Sequence, residues 1–304
     1  MLMVIISTFI MSVAGAIFGS FSGAQVWRLR AHQLIEDKAA GEEIDVHEYA
    51  RLKPLLVKAS RDRSRCLNCN QTLAWYDLVP VFSWLSTGGK CRYCHSRIGI
   101  FEISMELGYI AFFVLSYIVS LPELNTWLGM ARFAVWLCAG VLMGILLAYD
   151  TKWFLLPEKI NIALIIFGVV YAGLTYMMTG FDTNRLLTLA GSLLIMSGLY
   201  LCIFIVSRGA WIGFGDVILG IGLGLLLLKW EWAFMSLFLA NFLGLLAVLP
   251  AYIKKQVTGK THIPFGPFLI VATVLVVLYG QHIMSFGTGV LNAIAGAVLN
   301  MFML

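Results

Sequence analysis

The chain has 304 residues, of which 60% are hydrophobic and only 12% are charged, and its formal net charge is +5. A soluble domain holds about a quarter charged residues, so this composition excludes a soluble globular protein and predicts an integral membrane protein. Apolar runs of about 20 residues recur along the sequence, and the short alternating segments of a membrane barrel are missing, so we predict that helices cross the membrane.

The first apolar run covers Leu2 to Val26 and is followed by the basic residues Arg28 and Arg30. A cleaved signal peptide carries its positive charge before the apolar run and has a small-residue cleavage site after it. This run has neither feature. We therefore expect residues 1–27 to form a retained first membrane helix with the N-terminus outside.

Seven further spans are predicted after the first loop, which gives an all-α polytopic membrane protein with about eight transmembrane helices. They cover about residues 101–121, 127–149, 159–180, 185–207, 209–229, 232–253 and 264–284. The apolar tail from Thr288 to Leu304 is too short for another span. We expect it to lie in the membrane interface or to re-enter the membrane.

The positive charges indicate the orientation. Twelve of the 21 Lys and Arg residues lie between residues 28 and 100, and Lys254, Lys255 and Lys260 fall on the same predicted side. Because cytoplasmic loops carry the excess of Lys and Arg, we place residues 28–100 in the cytoplasm. The net positive charge is then explained by topology, and no nucleic-acid partner is expected.

The first loop, residues 28–100, is the long polar segment of the sequence and holds two C-x-x-C pairs. They are formed by Cys66, Cys69, Cys91 and Cys94. Two such pairs can complete a tetrahedral structural zinc site, here with a small β-ribbon between them, and four cysteines leave no open position for a catalytic metal. Disulfides are the alternative, which a cytoplasmic location disfavours because thiols stay reduced there.

Two aspartates interrupt the apolar runs, where ionisable residues are rare and usually functional. Asp150 ends the third span, and Asp216 follows Gly213 and Gly215 near the start of the sixth. Two crossings separate the aspartates, so both are predicted near the cytoplasmic face, Asp216 about 10 Å along a helix that begins near Gly209. The glycines predict a break that opens to water. A carboxylate that snorkels from a helix end is the simpler alternative.

Two carboxylates that share a cavity cannot both ionise cheaply, so one keeps its proton while the other is charged. Such a pair can activate water as a base and protonate a leaving amine as an acid, which is aspartic-protease chemistry. The five histidines form no evident Ser-His or Cys-His pair. A proton-coupled transporter with an aspartate relay is an alternative, but the sequence contains no convincing repeat.

In their order along the chain, these features resemble the type IV prepilin peptidases, the bifunctional leader peptidase and N-methyltransferase enzymes of pilus and type II secretion systems. The resemblance extends over nearly the whole chain. It includes "GSF" at residues 19–21, the four cysteines, "DLVPVFSWL" at residues 77–85 and "GFGD" at residues 213–216. Further family positions are matched by Glu106, Pro157, Glu158, and Pro264 and Gly266 of "PFGP".

The resemblance implies that Asp150 and Asp216 are the catalytic aspartates, supported by Gly213 and Gly215. It implies cleavage of prepilin or pseudopilin leader peptides at the cytoplasmic face of the bacterial inner membrane. It also implies S-adenosylmethionine as the methyl donor, with the cysteine module tied to methylation and residues 101–304 forming the peptidase core. A peptidase without methylation is the alternative, although such relatives lack the four-cysteine loop.

The sequence departs from the family pattern at four positions. Lys152 replaces a residue that is usually acidic, Ile218 replaces a common lysine, Gly23 replaces an asparagine, and Glu158 replaces an aspartate. None of these changes removes a catalytic carboxylate. Acidic residues near the site could recognise a basic leader, so the departures concern the leader preference.

Overall fold

The computed structural model describes residues 2–56, 63–254 and 264–302, with side chains as far as residue 285. Within these ranges the chain forms eleven α-helices, several short 3-10 turns and two isolated β-bridges. It divides into two compact units, Met1–Pro157 and Glu158–Leu304. Some residues used in the sequence-based predictions lie outside the described residues. They are four of the basic residues counted for the orientation and one of the five histidines: Lys58, Arg61, Lys255 and Lys260, and His262.

The first unit contains five α-helices. They are α1 (Leu2–Ala39), α2 (Val46–Leu52), α3 (Phe82–Ser86), α4 (Ile100–Ser120) and α5 (Trp127–Trp153). The first helix continues well past the predicted span, so the polar sequence that follows Arg30 begins as an extension of the membrane helix. Asp45 starts α2, because its carboxylate accepts the backbone N–H groups of His47 and Glu48 at 2.8 and 3.1 Å.

Helices α1 and α4 pack closely because glycines stand at their contact. A Cβ atom on Gly19 would lie 2.6 Å from the Glu106 Cα, and one on Gly15 would lie 2.7 Å from the Tyr109 carbonyl oxygen. Only glycine permits so close an approach, as is common where membrane helices pair through small residues. The "GSF" segment is thereby fixed against Glu106.

The second unit contains six α-helices. They are α6 (Glu158–Thr179), α7 (Thr183–Leu193), α8 (Leu199–Ser207), α9 (Phe214–Leu227), α10 (Trp230–Ile253) and α11 (Gly266–Phe302). A π-turn at Leu194–Gly198 joins α7 to α8, so the two form one apolar segment, Thr183–Ser207. The apolar tail after Thr288 forms no separate element in the described residues, because α11 continues to Phe302.

Helix α9 lies in the interior of the second unit and packs against the π-turn. A Cβ atom on Gly220 would lie only 2.1 Å from the Met196 carbonyl oxygen, so a side chain at this position cannot be accommodated. The Ser197 hydroxyl donates to the Val217 carbonyl at 2.9 Å. π-turns occur frequently at functional sites, and here the π-turn fixes the position of α9.

Seven helices in the described ranges are long and apolar enough to cross a membrane, which confirms the all-helical membrane fold. The chain is a multi-pass membrane protein. The remaining predicted span, about 209–229, corresponds to the shorter helix α9. Its 14 residues cover about 21 Å, less than the roughly 30 Å of a hydrocarbon core.

The expectation that this helix begins near Gly209 is wrong. Arg208 and Gly209 both have positive φ, at 50° and 79°, and they end α8. The Gly209 N–H donates back to the Phe204 carbonyl at 2.9 Å, as is usual at the C-terminus of a helix. The chain then turns, and the next helix starts only at Phe214.

Candidate active site

Asp150 lies three residues before the end of α5, and only 5% of its surface is exposed. The helix ends because Phe154 adopts a left-handed conformation with φ of 58°, and the Phe154 N–H donates to the Asp150 carbonyl at 2.9 Å. A carboxylate that snorkels towards water would be exposed. The burial of Asp150 therefore argues against that alternative for this residue.

Asp216 lies in the first turn of α9, two residues after Phe214, and its side chain is partly buried. Gly213 precedes the helix as its N-cap in an extended conformation, with φ of −74° and ψ of 149°. The position predicted for Asp216, about 10 Å along the helix, is wrong because the helix begins only at Phe214; we call the segment Gly213 to Gly215 the glycine turn. The carboxylate instead lies in the first turn of the helix, one residue after Gly215.

Asn161 supports the glycine turn and was not identified from the sequence. It lies on α6 with 1% of its surface exposed, and its Nδ2 donates to the Gly215 carbonyl at 3.3 Å. This contact joins α6 directly to the residue before Asp216. An asparagine just inside an apolar span was the available signal, because polar groups in such spans need a buried partner.

The other proline, glycine and acidic motif positions mark the starts of helices. Pro157 precedes α6, and Glu158 is the exposed first residue of that helix. Pro264 stands two residues before α11, which begins at the buried Gly266. A proline without an N–H group and an acidic residue in the first turn both suit a helix N-terminus. These residues thus have a local structural role at the ends of spans.

Asp150 belongs to the first unit and Asp216 to the second. The contacts given above for each aspartate are therefore contacts within its own unit. The cavity that the two aspartates were expected to share stays a prediction, as do their catalytic roles.

Glu106 anchors the cysteine module to α4. Its side chain is buried, with 7% exposed, and its Oε2 accepts the Val81 backbone N–H at 2.7 Å. Val81 has φ of 63°, which is a strained conformation for a β-branched residue. Strain of this kind persists only where the surroundings hold it in place, and the hydrogen bond to Glu106 does so here. The sequence identified Glu106 as a motif residue, and the structure supplies this contact.

The four predicted metal ligands lie together. The sulfur atoms of Cys66, Cys69, Cys91 and Cys94 are all within 4.8 Å of one another, and none of the four is in a disulfide. A zinc ion about 2.3 Å from four tetrahedral sulfurs would place those sulfurs about 3.8 Å apart. The Cys66 and Cys94 sulfurs are 3.8 Å apart. The donor set therefore fits a closed tetrahedral metal site.

The two C-x-x-C pairs have the same backbone structure. In the first, Asn70 has φ of 57° and its N–H donates to the Cys66 carbonyl at 2.9 Å. In the second, His95 has φ of 55° and its N–H donates to the Cys91 carbonyl at 2.9 Å. Asn and His tolerate this left-handed conformation better than most residues. The position of His95 after the second pair is thus explained by the turn.

Hydrogen bonds favour the thiolate form at one cysteine of the cluster. Bonds from the side chain and backbone of Ser96 lower the pKa of the Cys94 thiol to about 5, and the Asn68 side chain contributes in the same direction. A metal binds the thiolate rather than the thiol. These hydrogen bonds therefore favour the metal-binding form at Cys94, whereas burial raises the pKa of the Cys91 thiol.

The β-ribbon expected between the two pairs is not what joins them. Isolated bridges, Arg65 to Thr72 and Lys90 to Arg97, close each turn separately, and a 3-10 turn at Trp75–Leu78 and helix α3 connect the two. The physical reason lies in Asp77, whose carboxylate accepts the Ala74 N–H at 3.2 Å and closes the 3-10 turn. The intervening segment is consequently folded back instead of extended.

A cavity of about 630 Å³ lies inside the first unit, between α1, the start of α4 and the cysteine module. Its lining includes Trp27, Glu102, Glu106 and Lys152. Glu102 Oε1 accepts the Trp27 indole N–H at 3.2 Å, while Glu102 Oε2 is buried without a hydrogen-bond partner in the described ranges. The sequence did not indicate this cavity, because its walls come from segments far apart in the chain.

Two family models match the chain: "Bacterial Peptidase A24 N-terminal domain" over residues 13–120 and "Type IV leader peptidase family" over residues 137–249. A relative from Burkholderia pseudomallei, named prepilin leader peptidase/N-methyltransferase, is 30% identical over 223 residues, which cover 72% of this chain and 67% of the relative. The chain belongs to the type IV leader peptidase family.

Two more relatives with the same name support this membership over a longer range. The Vibrio cholerae protein is 26% identical and the match covers 87% of this chain and 94% of the relative. The Dichelobacter nodosus protein is 28% identical, with 90% and 92% covered. No solved structure matches the chain. The resemblance drawn from the motifs is thereby confirmed at the level of the family.

Within this leader peptidase family member, the two matched regions divide the candidate residues. The region matched by the N-terminal model contains the cysteine module and Glu106, together with most residues that line the cavity. The region matched by the leader peptidase model contains Asp150, Asp216 and the newly identified Asn161. The two sets of chemical groups therefore lie in separately recognisable regions of the chain.

Proposed function

We propose that this chain is a membrane aspartic endopeptidase that cleaves the leader peptides of prepilins or pseudopilins. The observation that carries the proposal is the placement of two carboxylates, both in the region matched by the leader peptidase model. Asp150 is buried at the end of a membrane helix, and Asp216 occupies the first turn of a buried helix behind a glycine turn. The names of the relatives agree with this activity.

In this mechanism the two aspartates share the work of an acid and a base. The charged carboxylate takes a proton from water, and the water oxygen forms a bond to the scissile carbonyl carbon. The protonated carboxyl group gives its proton to the leaving nitrogen as the C–N bond breaks. The pair then titrates as a unit, so the pH dependence of cleavage belongs to both residues together.

We further propose that the chain methylates the amino group that cleavage exposes. This half rests on the names of the relatives and on the cavity inside the first unit. Bound S-adenosylmethionine would supply an electrophilic methyl group, which the amine nitrogen takes as the S–C bond breaks and a proton leaves the nitrogen. Cys66, Cys69, Cys91 and Cys94 would hold a structural zinc ion that stabilises the module.

The proposed location is the bacterial inner membrane, with the N-terminus outside and the cysteine module in the cytoplasm. The distribution of Lys and Arg supports this orientation. The apolar helix of the prepilin would remain in the bilayer, while its basic leader lies at the cytoplasmic surface. No nucleic acid has a part in this function.

The decisive experiment replaces each catalytic aspartate with its isosteric amide, Asp150→Asn and Asp216→Asn, in purified protein in detergent. Asp182→Asn is the matched control, because Asp182 is exposed at the start of α7 and its side chain makes no capping hydrogen bond. Loss of a general acid or base lowers rates by about 10²–10⁴-fold, so cleavage of a prepilin should fall by at least that factor in both variants. Unaltered cleavage in either variant would refute the two-aspartate mechanism.

Intact-mass measurement of the processed pilin separates the alternative functions. One added methyl group supports the bifunctional enzyme, and a cleaved but unmethylated product supports a peptidase alone. A proton-coupled transporter would give neither product. In proteoliposomes it would instead show substrate-dependent proton flux.

A further inference from the structure

The cavity in the first unit is lined by charged groups of both signs, and among them Arg92 and Asp77 form an ion pair at 2.9 Å. Glu102 Oε2 is buried in its wall and has no hydrogen-bond partner among the residues that the structure describes. Arg51 and Lys152 also line the cavity and form no salt bridge within that part of the chain. Burying an unpartnered carboxylate oxygen is costly, so the arrangement indicates a ligand that supplies the missing partner.

The two cations are held by aromatic rings. The Lys152 Nζ lies 4.1 Å from the centre of the Phe101 ring and 4.4 Å from that of Trp27, and the Arg51 guanidinium lies 5.3 Å from the centre of Trp27. Cation–π contacts orient such groups without neutralising them. Because the indole N–H of the same Trp27 donates to Glu102 Oε1 at 3.2 Å, Lys152 and Glu102 contact one ring, and the cavity presents neighbouring charges of opposite sign there.

We propose that this cavity binds S-adenosylmethionine, with Glu102 facing the positive sulfonium and ammonium end and with Arg51 and Lys152 facing the carboxylate. The inference rests on the methyl-transfer half of the proposed function. The ammonium and carboxylate groups of an amino acid are carried by one carbon atom, so an amino acid linked to a nucleoside matches these neighbouring charges of opposite sign.

The size and the walls of the cavity suit this ligand. Its volume of about 630 Å³ lies within the range of about 300–1,000 Å³ that is usual for small-molecule sites. Trp84 and Phe101 supply aromatic walls for an adenine ring. Gly23 is a buried lining residue, yet a Cβ atom built on it would meet nothing within 4 Å. The side of α1 that carries Gly23 therefore faces open space inside the cavity.

Gly23 makes the proposal testable without disturbing the helix contacts. A larger side chain at this position would enter the cavity instead of clashing with the backbone, so Gly23→Leu should occupy the ligand volume. Gly108→Leu is the matched control, because Gly108 is also helical and also has nothing within 4 Å of its Cβ position, but it is exposed and outside the cavity. Glu102→Gln removes the charge at nearly constant shape. The exposed Glu43→Gln is its control.

The experiment measures the binding of S-adenosylmethionine and S-adenosylhomocysteine to the purified full-length protein by titration calorimetry. Thermal melting in parallel establishes that each variant is folded. We expect Gly23→Leu to abolish binding of both ligands and Glu102→Gln to weaken S-adenosylmethionine at least tenfold. Glu102→Gln should weaken S-adenosylhomocysteine less, because that product lacks the sulfonium charge. Gly108→Leu and Glu43→Gln should bind both ligands like the unmodified protein.

Three results would overturn the proposal. Binding of both ligands that is unchanged in folded Gly23→Leu and Glu102→Gln would place the methyl-donor site elsewhere and leave the proposed function intact. Weakened binding of a synthetic leader peptide, without any effect on either nucleoside ligand, would assign the cavity to the substrate. Failure of the unmodified protein to bind either ligand would remove the methyl-transfer half of the proposed function as well, while leader cleavage would still be judged separately.

Discussion

Replacement of Asn161 by alanine tests whether the glycine turn before Asp216 is held in place from α6. The Asn161 side chain is buried and donates to the Gly215 carbonyl at 3.3 Å. The distance is at the long end for an N–H···O bond, so we take the lower part of the usual range for the bond. We expect a net loss of about 0.5–1 kcal/mol, because the Gly215 carbonyl lies inside α9 and keeps the intrahelical partner that a carbonyl at such a position has.

The same change should affect catalysis more than substrate binding. If about 0.7 kcal/mol of this loss appears in the transition state, kcat for leader cleavage falls about threefold. KM should change little, because Asn161 contacts the turn that carries the carboxylate and the proposal assigns it no contact with the leader. Asn241→Ala is the control: Asn241 is exposed and, within the described residues, its side chain donates to the Leu237 carbonyl of its own helix.

A second variant separates positioning from simple stability. Asn161→Asp keeps the size of the side chain but can donate to the Gly215 carbonyl only when its carboxyl group is protonated. Its cleavage rate relative to the unmodified protein should therefore improve as the pH falls. Thermal melting and cleavage kinetics are measured on the same preparations. Unchanged melting temperature and unchanged kcat in Asn161→Ala would refute the reasoning.

Two further predictions concern packing and the metal site. Gly220→Ala should lower the free energy of unfolding by about 1–3 kcal/mol or more, because the new Cβ would lie 2.1 Å from the Met196 carbonyl oxygen. Gly173→Ala is the control, because nothing lies within 4 Å of a Cβ atom at that position, and it should be neutral or stabilising. Equal melting temperatures for the Gly220→Ala and Gly173→Ala variants would contradict the packing of α9. Metal analysis should find about one zinc ion per chain. The Cys91→Ser variant should lose this zinc, whereas Cys138→Ser, which changes a cysteine outside the cluster, should retain it. Equal zinc content in both variants would contradict the four-cysteine site.

Hydropathy could predict which segments of this chain are membrane helices, but it could not predict where the helices begin and end. Hydropathy averages the apolar character of a window of residues along the sequence. Trp211 and Ile212 are as apolar as the helix that follows them, so the average does not mark where that helix begins. The end of α8 depends on the positive φ values of Arg208 and Gly209. Conformations of this kind depend on local hydrogen bonds and carry no hydropathy signal. The position of Asp216 was consequently misjudged by about one and a half helical turns.

The candidate residues that could be found from the sequence are those whose chemistry is unusual in their surroundings. Asp150 and Asp216 stand out as charges in apolar runs, and the cysteine pairs stand out by their spacing. Asn161 and Glu102 do not, because their significance depends on partners that are 54 and 75 residues away in the chain. A buried hydrogen bond between distant segments is a property of the packed structure, and one sequence does not contain it.

The departure of Lys152 from the family pattern acquires a different meaning in the structure. From the sequence, this departure concerned the leader preference of the peptidase, because acidic residues near the site could recognise a basic leader. Residues two apart on an α-helix point about 200° away from each other, so the side chains of Asp150 and Lys152 face different surroundings. The Lys152 ammonium group lies over Phe101 and Trp27 in the cavity of the first unit. An acidic residue there would place a second negative charge near Glu102, whereas lysine provides the positive charge that the carboxylate of an amino acid ligand requires. The departure at Lys152 therefore affects the proposed methyl-donor site directly. Its effect on Asp150 is indirect, because the two residues share only the end of α5.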